Sequence, residues 1–247
     1  MRLGIMQPYF FPYLGYFDVI RKTDRWIVFD VVKYQAKHWM NRNRILEPNK
    51  GEQYITVPVD KHSSRMLSDI TVKDMPQARE KILRQLAVYR NVAPYFDAVC
   101  GIVEETFDDV GDDPVRLSDL NVAGLARVCA HLGIAFDYRI CSELDLDYAG
   151  VQHAGQWALE ICRQLGATGY VNPSGGKSIF RREEWQAAGI DIAFTRLPDF
   201  RYPVGGKFEF VPHLSIVDCL MWVPGTEILA YLDELSLDRG GEPMAAP

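Results

Sequence analysis

The apolar run Leu3-Gly4-Ile5-Met6 stops at Gln7-Pro8, an aromatic and proline loop follows, and Gly15-Tyr16 then open an amphipathic segment. Proline has no N–H to give to a sheet ladder, so a strand ends where it stands. A buried strand feeding a tight loop and then a helix is the unit of open α/β sheets. Such sheets bind ligands at the carboxyl end of a strand, beside the amino end of a helix. Tyr9, Phe10, Phe11, Tyr13 and Tyr16 crowd this loop next to polar Gln7. Two readings follow: a stacking surface at a ligand site, or a Pro-rich turn packed by its own rings.

The rest of the chain continues the alternation. Segments 25–32 and 53–59 are rich in β-branched and aromatic residues and predict strands. Segment 33–48 between them is polar, basic and aromatic, too irregular to predict a helix, and 68–72 predicts a short strand. Apolar spacing predicts helices over 75–89, 94–110 and 118–132, the last stopped at Gly133. A strand over 134–140, a helix over 151–165 ended by Gly166 and a strand over 167–173 come next. A glycine-rich loop, Ser174-Gly175-Gly176-Lys177-Ser178, leads to a helix over 182–188, a strand over 190–197 and an apolar helix over 214–223. Strands and helices at this spacing predict an α/β fold with a mainly parallel sheet. The expected organisation is a single domain over 1–234, a helical insertion over about 75–133 and a flexible tail over 235–247.

Composition narrows the class of partner. Of 247 residues, 48% are hydrophobic and 24% charged, as in ordinary globular proteins. A net charge of −6 supplies no global excess of cations to displace counterions from nucleic acid. A local basic pocket for a phosphorylated small molecule is still compatible with it. No charged segment followed by an apolar one opens the chain, and no apolar stretch reaches membrane-spanning length, so a cytoplasmic protein is expected. The five cysteines are scattered without a CxxC pair, which predicts neither a disulfide scaffold nor a zinc site.

Two polar runs stand out besides the first loop. Gly175 and Gly176 let backbone N–H groups approach a ligand, and Lys177 can neutralise a phosphate, although the glycine spacing is not that of a Walker A loop. A plain turn is the competing reading; Tyr170 and Asn172, at the end of the preceding strand, favour a site. In Trp39-Met40-Asn41-Arg42-Asn43-Arg44, guanidiniums and amides beside His38 suit pyrophosphate or carboxylate, the alternative being a solvated loop. If that run is extended, Asn41 and Asn43 share one face and Arg42 and Arg44 the other. Asp218, inside an apolar helix, needs a partner wherever it is buried. Asp30 ends a strand, either as a cap or as a site carboxylate, and His213 precedes the apolar helix. His62, His131 and His153 have no metal-ligand spacing, and the acidic run Asp108, Asp109, Asp112, Asp113 reads as a solvated loop.

Together these motifs resemble the WbqC-like family. Its Gln-Pro-x-x-Phe-Pro-x-x-Gly-Tyr is similar to Gln7–Tyr16 here, and its Trp-x-Asn-Arg-Asn-Arg-Ile to Trp39–Ile45. Its Tyr-x-Asn-x-x-Gly-Gly is similar to Tyr170–Gly176 and its Leu-Ser-Ile-x-Asp to Leu214–Asp218. The resemblance implies a role in bacterial surface polysaccharide, such as O-antigen of lipopolysaccharide, with transfer of an amino acid (glycine) to an amino sugar as the suggested reaction. A fainter likeness, in placement, is to nucleotidyltransferase-like Rossmannoid enzymes. There Tyr13 and Tyr16 would stand at the positions of two turn histidines, and ATP with Mg would be the implied cofactor pair. A phenol donates a hydrogen bond to phosphate but carries no positive charge near neutral pH.

The leading expectation is an enzyme that attaches a small acyl or aminoacyl group to the amine of a nucleotide-linked sugar. Arg42, Arg44 and Lys177 would hold phosphates, while Tyr9, Tyr13 and Trp39 would stack on a base or sugar. Gln7, Asn41, Asn43 and Asn172 would orient polar groups, with Gly15, Tyr16, Tyr170, Ser174, Gly175 and Gly176 completing the site. Asp30, His213 and Asp218 are the candidates for the base that an amine nucleophile needs. An ATP-dependent ligase and a non-catalytic nucleotide-sugar binder are the alternatives. The partner is expected to be a small molecule and not a nucleic acid; no metal site is expected.

Overall fold

The computed structural model describes residues 1–60, 66–111 and 114–238; His62, Asp112, Asp113 and residues 239–247 of the expected tail lie outside them. Strands β1 (Arg2–Met6) and β2 (Arg25–Val28) flank helix α1 (Leu14–Arg21). Strands β3 (Arg42–Glu47) and β4 (Gly51–Thr56) form an antiparallel hairpin, in register from Arg42 against Thr56 to Glu47 against Gly51. Helices α2 (Met75–Leu86), α3 (Phe96–Val110) and α4 (Leu117–Leu132) follow. The chain then returns to the sheet through β5 (Tyr138–Ile140), α5 (Gln156–Gln164), β6 (Gly169–Pro173), α6 (Arg182–Ala188) and β7 (Asp191–Thr195). Helices α7 (Ile216–Trp222) and α8 (Gly225–Glu234) close the described part.

β5, β2, β1, β6 and β7 form, in that order, one five-stranded sheet with every pairing parallel. The fold is α/β with a mainly parallel sheet. Side chains alternate between its faces, as the pleat requires. Leu3, Ile5, Ile27 and Tyr170 pack under α5 and α6, whereas Trp26, Val28 and Val171 join the larger core with α1, the hairpin and α2–α4. Burial on both faces is why these strands read as continuous apolar runs. Leaving β1, the chain builds outward to β2 and β5, then crosses back to place β6 on the other side of β1. The strand order therefore reverses between β1 and β6, and their carboxyl ends diverge there. That crevice is the expected ligand position in a doubly wound sheet.

Several expected boundaries move. Segment 33–48 contains β3, which goes unrecognised because Asn43, a polar residue, occupies one of its buried positions. The expected strand at 68–72 is a 3-10 turn, Leu67–Asp69, followed by single bridges from Thr71 to Arg116 and from Val72 to Val59. The expected strand over 134–140 is confined to β5. α8 adds a helix to the expected elements; it starts after Pro224, and proline before a first helical turn is well tolerated. Residue 238 of the expected tail bridges Phe194 in β7, the two backbones exchanging hydrogen bonds of 2.8 Å. No helix among the described residues is long and apolar enough to cross a membrane.

Candidate functional site

Beyond β1 the chain from Gln7 to Tyr13 carries almost no regular backbone pairing, so its carbonyls need other donors. They find them on four surrounding segments. The Asn121 amide of α4 donates to Pro8 O at 2.9 Å and to Met40 O at 2.8 Å. The Asn43 amide of β3 donates to Phe10 O at 3.1 Å and Phe11 O at 2.8 Å, and its own oxygen accepts from Arg44 N at 2.8 Å. Ser215 Oγ donates to Phe11 O at 2.7 Å, and Ile216 N to Pro12 O at 2.9 Å. Tyr16 Oη donates to Gln7 O at 3.1 Å, and Phe10 N to Trp39 O at 3.0 Å. The clamp holds Phe11 at φ 39°, a left-handed conformation that a phenylalanine rarely keeps unaided.

This twist sorts the aromatic rings. Phe10 and Phe11 turn into the core and are nearly fully buried. Tyr9 and Tyr13 turn the other way and, with the buried Tyr16 of α1, line a cleft of about 670 Å³, within the usual size of small-molecule sites. The loop is thus both a ring-packed turn and the wall of a cavity. His38, Trp39 and Arg44 form the side next to the hairpin. Opposite them, Asn172, Pro173, Gly175 and Gly176 come from the end of β6 and the 3-10 helix Ser174–Ile179. His213 and Leu197 stand at the rim; His213 has φ 58° and meets the Tyr13 ring edge-on at 6.3 Å. The cleft therefore sits at the β1/β6 switch point.

Two glycines leave room for neighbouring side chains of the site. A Cβ on Gly15 would lie 2.4 Å from the Tyr13 ring, which lies across the start of α1. A Cβ on Gly176 would lie 2.4 Å from Asn172 Nδ2, so a side chain there would displace the Asn172 amide.

Burial sets the protonation of the lining. It pushes the Tyr9 phenol up to about 12 and raises that of Tyr13 above its ordinary 10, with the negative Asp18 adding to the latter. Both phenols are neutral hydrogen-bond donors at pH 7. Burial, and secondly the Arg42 charge, lower His38 below its ordinary 6.5, which leaves a neutral imidazole able to accept a proton. Its Nδ1 is buried without a hydrogen-bond partner.

The cationic residues are distributed unevenly. The Arg44 guanidinium lies 5.3 Å over the Trp39 ring and reaches both oxygens of Glu52 at 2.9 Å. Arg42 lies 4.1 Å over Tyr54, itself stacked on Trp39, and is not part of the cleft lining. Lys177 pairs with Asp238 at 3.0 Å, and neither it nor Ser174 lines the cavity.

Among the amides, Asn41 donates to Val57 O at 2.9 Å outside the cleft. Asn172 accepts from Tyr170 Oη at 2.7 Å and donates to Pro173 O at 2.8 Å. Gln7 and Tyr170 border a smaller chamber next to the cleft. Of the three base candidates, only His213 lines the cavity. Asp30 is buried at the end of β2 and accepts from Ser142 N at 2.9 Å and Ser142 Oγ at 2.5 Å. Asp218 is buried in α7 and accepts from Leu46 N, Tyr89 Oη and Tyr202 Oη. Sequence reasoning did not single out His38 and Leu197 as lining residues, nor Asn121 and Ser215 as clamps. The signal available was a polar residue at a buried position: Asn121 between Leu120 and Val122, and Ser215 within a motif otherwise read for its aspartate. Another hollow, about 410 Å³ between Arg2, Arg182 and Trp185, opens toward the amino ends of β1 and β7, away from these loops.

An open parallel sheet wound on both faces, with an aromatic cleft at its switch point, defines a doubly wound α/β protein. Residues 7–229 match the WbqC-like protein family, and the chain belongs to it. It is 28% identical over 234 residues to the uncharacterized protein Rv1507c of Mycobacterium tuberculosis (strain ATCC 25618 / H37Rv), covering 94% of this chain and 97% of that one. No solved structure matches it.

Proposed function

We propose that this protein attaches a small acyl or aminoacyl group to the amine of a nucleotide-linked sugar, in the cytoplasm, during assembly of bacterial surface polysaccharide. The observation that carries the reading is the aromatic cleft at the β1/β6 switch point, open to solvent and bordered by Arg44 and by Gly175-Gly176. Tyr13 and Trp39 offer rings to the base or sugar, and Arg44 and the glycine backbone meet the diphosphate. His38 and His213, the two imidazoles of the lining, take the place of the base. In the reaction the amine lone pair attacks the carbonyl carbon of an activated donor, a thioester or acyl phosphate. A C–N bond forms, the leaving group departs with the electron pair of its bond, and the amine proton passes to an imidazole.

Calorimetric titration with nucleoside-diphosphate amino sugars, followed by mass spectrometry of mixtures containing acyl and aminoacyl donors, tests this reading. Binding is expected, with a product heavier by the transferred group. Trp39→Ala is expected to weaken binding by about 1–3 kcal/mol, the scale of one lost base–aromatic stack, or roughly five- to hundredfold. Binding of Mg-ATP with pyrophosphate release would replace the proposal with a ligase, and binding without turnover by any donor would replace it with an escort protein.

A further inference from the structure

The smaller chamber, about 190 Å³, lies between the carboxyl end of β1 and α5. It is below the roughly 300 Å³ at which pockets hold a drug-sized molecule. Met6, Tyr9, Tyr16, Asn172 and Ile179 border both spaces, so occupants of the two would meet at one partition. Its back wall is apolar: Phe29 and Trp157 meet edge to face with centroids 5.6 Å apart, and Ala158 of α5 leaves the volume open. None of the residues lining it is Asp, Glu, Lys, Arg or His.

The polar groups of the partition are largely satisfied. Tyr170 Oη donates to Asn172, Asn172 donates to Pro173, and Tyr16 donates to Gln7 O. Tyr9 Oη donates to Gln7 Oε1 at 3.2 Å, and with the amide so oriented Nε2 has its N–H groups to offer. The chamber therefore offers apolar walls and one amide donor. We propose that it is a second binding compartment, for a small uncharged group bearing a carbonyl, such as an acyl chain of a few carbons, whose oxygen accepts from Gln7 Nε2. An ionised carboxylate or ammonium would meet no countercharge on these walls. Resting on the transfer reading above, the compartment selects a neutral acyl group over a glycyl group carrying a free ammonium.

Ligand-observed NMR with butyramide, butyrate and butylammonium, probes of nearly equal size and different charge, tests the compartment. Butyramide is expected to bind at least tenfold more tightly than either ion. Ala154 is an exposed residue of the lining, so Ala154→Phe blocks the space with little disturbance of the core. It is expected to abolish butyramide binding with the melting temperature unchanged, and Gln7→Leu to weaken it about tenfold. Equal binding of the ions, or butyramide binding by Ala154→Phe as by the wild type, overturns the proposal. Nucleotide-sugar affinity measured alongside separates the two ideas. Butyramide binding without nucleotide-sugar binding defeats the transfer reading and leaves the compartment; the reverse pattern defeats the compartment alone.

Discussion

Asp218→Ala is expected to lower folding stability by about 3–4 kcal/mol, read as a shift in the urea midpoint. The carboxylate is fully buried and ties three separate pieces together: β3 through Leu46 N at 2.8 Å, the end of the α2 region through the Tyr89 hydroxyl, and the segment before α7 through the Tyr202 hydroxyl at 2.8 Å. Alanine leaves the Tyr202 hydroxyl without its acceptor in the core, while Leu46 N and the Tyr89 hydroxyl keep only their bonds to each other's residue, at 2.8 and 3.4 Å; each orphaned group costs about 1–3 kcal/mol. Asp218→Asn keeps an acceptor and is expected to cost less. The pH dependence separates the two substitutions further. Burial raises the folded-state value of Asp218 above its ordinary 3.8, an effect only partly offset by the hydrogen bonds it accepts. A carboxyl raised in the folded state contributes stability that is fully present below the unfolded value and lost as pH rises through the folded one. The wild type is therefore expected to lose stability relative to Asp218→Asn as pH rises from about 4, since asparagine does not titrate. A gap between the two proteins that widened in favour of the wild type would contradict this sign.

Asn43→Ala is expected to cost about 2–4 kcal/mol and to abolish stabilisation by any cleft ligand. The Asn43 side chain makes three hydrogen bonds, all to backbone, and two of them hold the carbonyls on either side of the left-handed Phe11. Without the amide, that strained conformation has only Ser215 Oγ and neighbouring backbone bonds to keep it. The loop would relax toward negative φ and carry Tyr9 and Tyr13 out of the cleft wall. Asn43→Asp is expected to do no better, because a carboxylate oxygen would face two carbonyls in place of the N–H groups. Thermal melts with and without nucleoside-diphosphate amino sugar read both effects. A large drop in melting temperature that left the ligand-induced shift intact would separate the loop from the cleft.

The parallel sheet was legible because its central strands β1, β2 and β6 are largely buried and apolar, and because β1 and β6 stop at or just before a proline. The short loops leaving β1 and β6 then placed the crevice. The hairpin strand β3 was not legible, since Arg42, Asn43 and Arg44 carry no apolar alternation and Asn43 is buried for hydrogen bonding alone. Site residues divide along the same line. Aromatic residues and glycines announce themselves by type, and Tyr9, Tyr13, Trp39, Gly175 and Gly176 do meet at one cavity. What residue type does not reveal is which way an amide or a cation points. Asn43 and Asn172 spend their hydrogen bonds on backbone and a neighbouring hydroxyl, Arg42 stacks on Tyr54, and Lys177 pairs with Asp238. Those directions depend on partners as distant in sequence as Phe11 for Asn43 and Asp238 for Lys177, and no local pattern encodes them.

The most direct test of the central claim is a crystal structure of the protein bound to a nucleoside-diphosphate amino sugar. The account predicts the ligand in the β1/β6 crevice, its rings against Tyr13 and Trp39 and its diphosphate toward Arg44 and Gly175-Gly176. A ligand held instead in the hollow between Arg2 and Arg182 would contradict it.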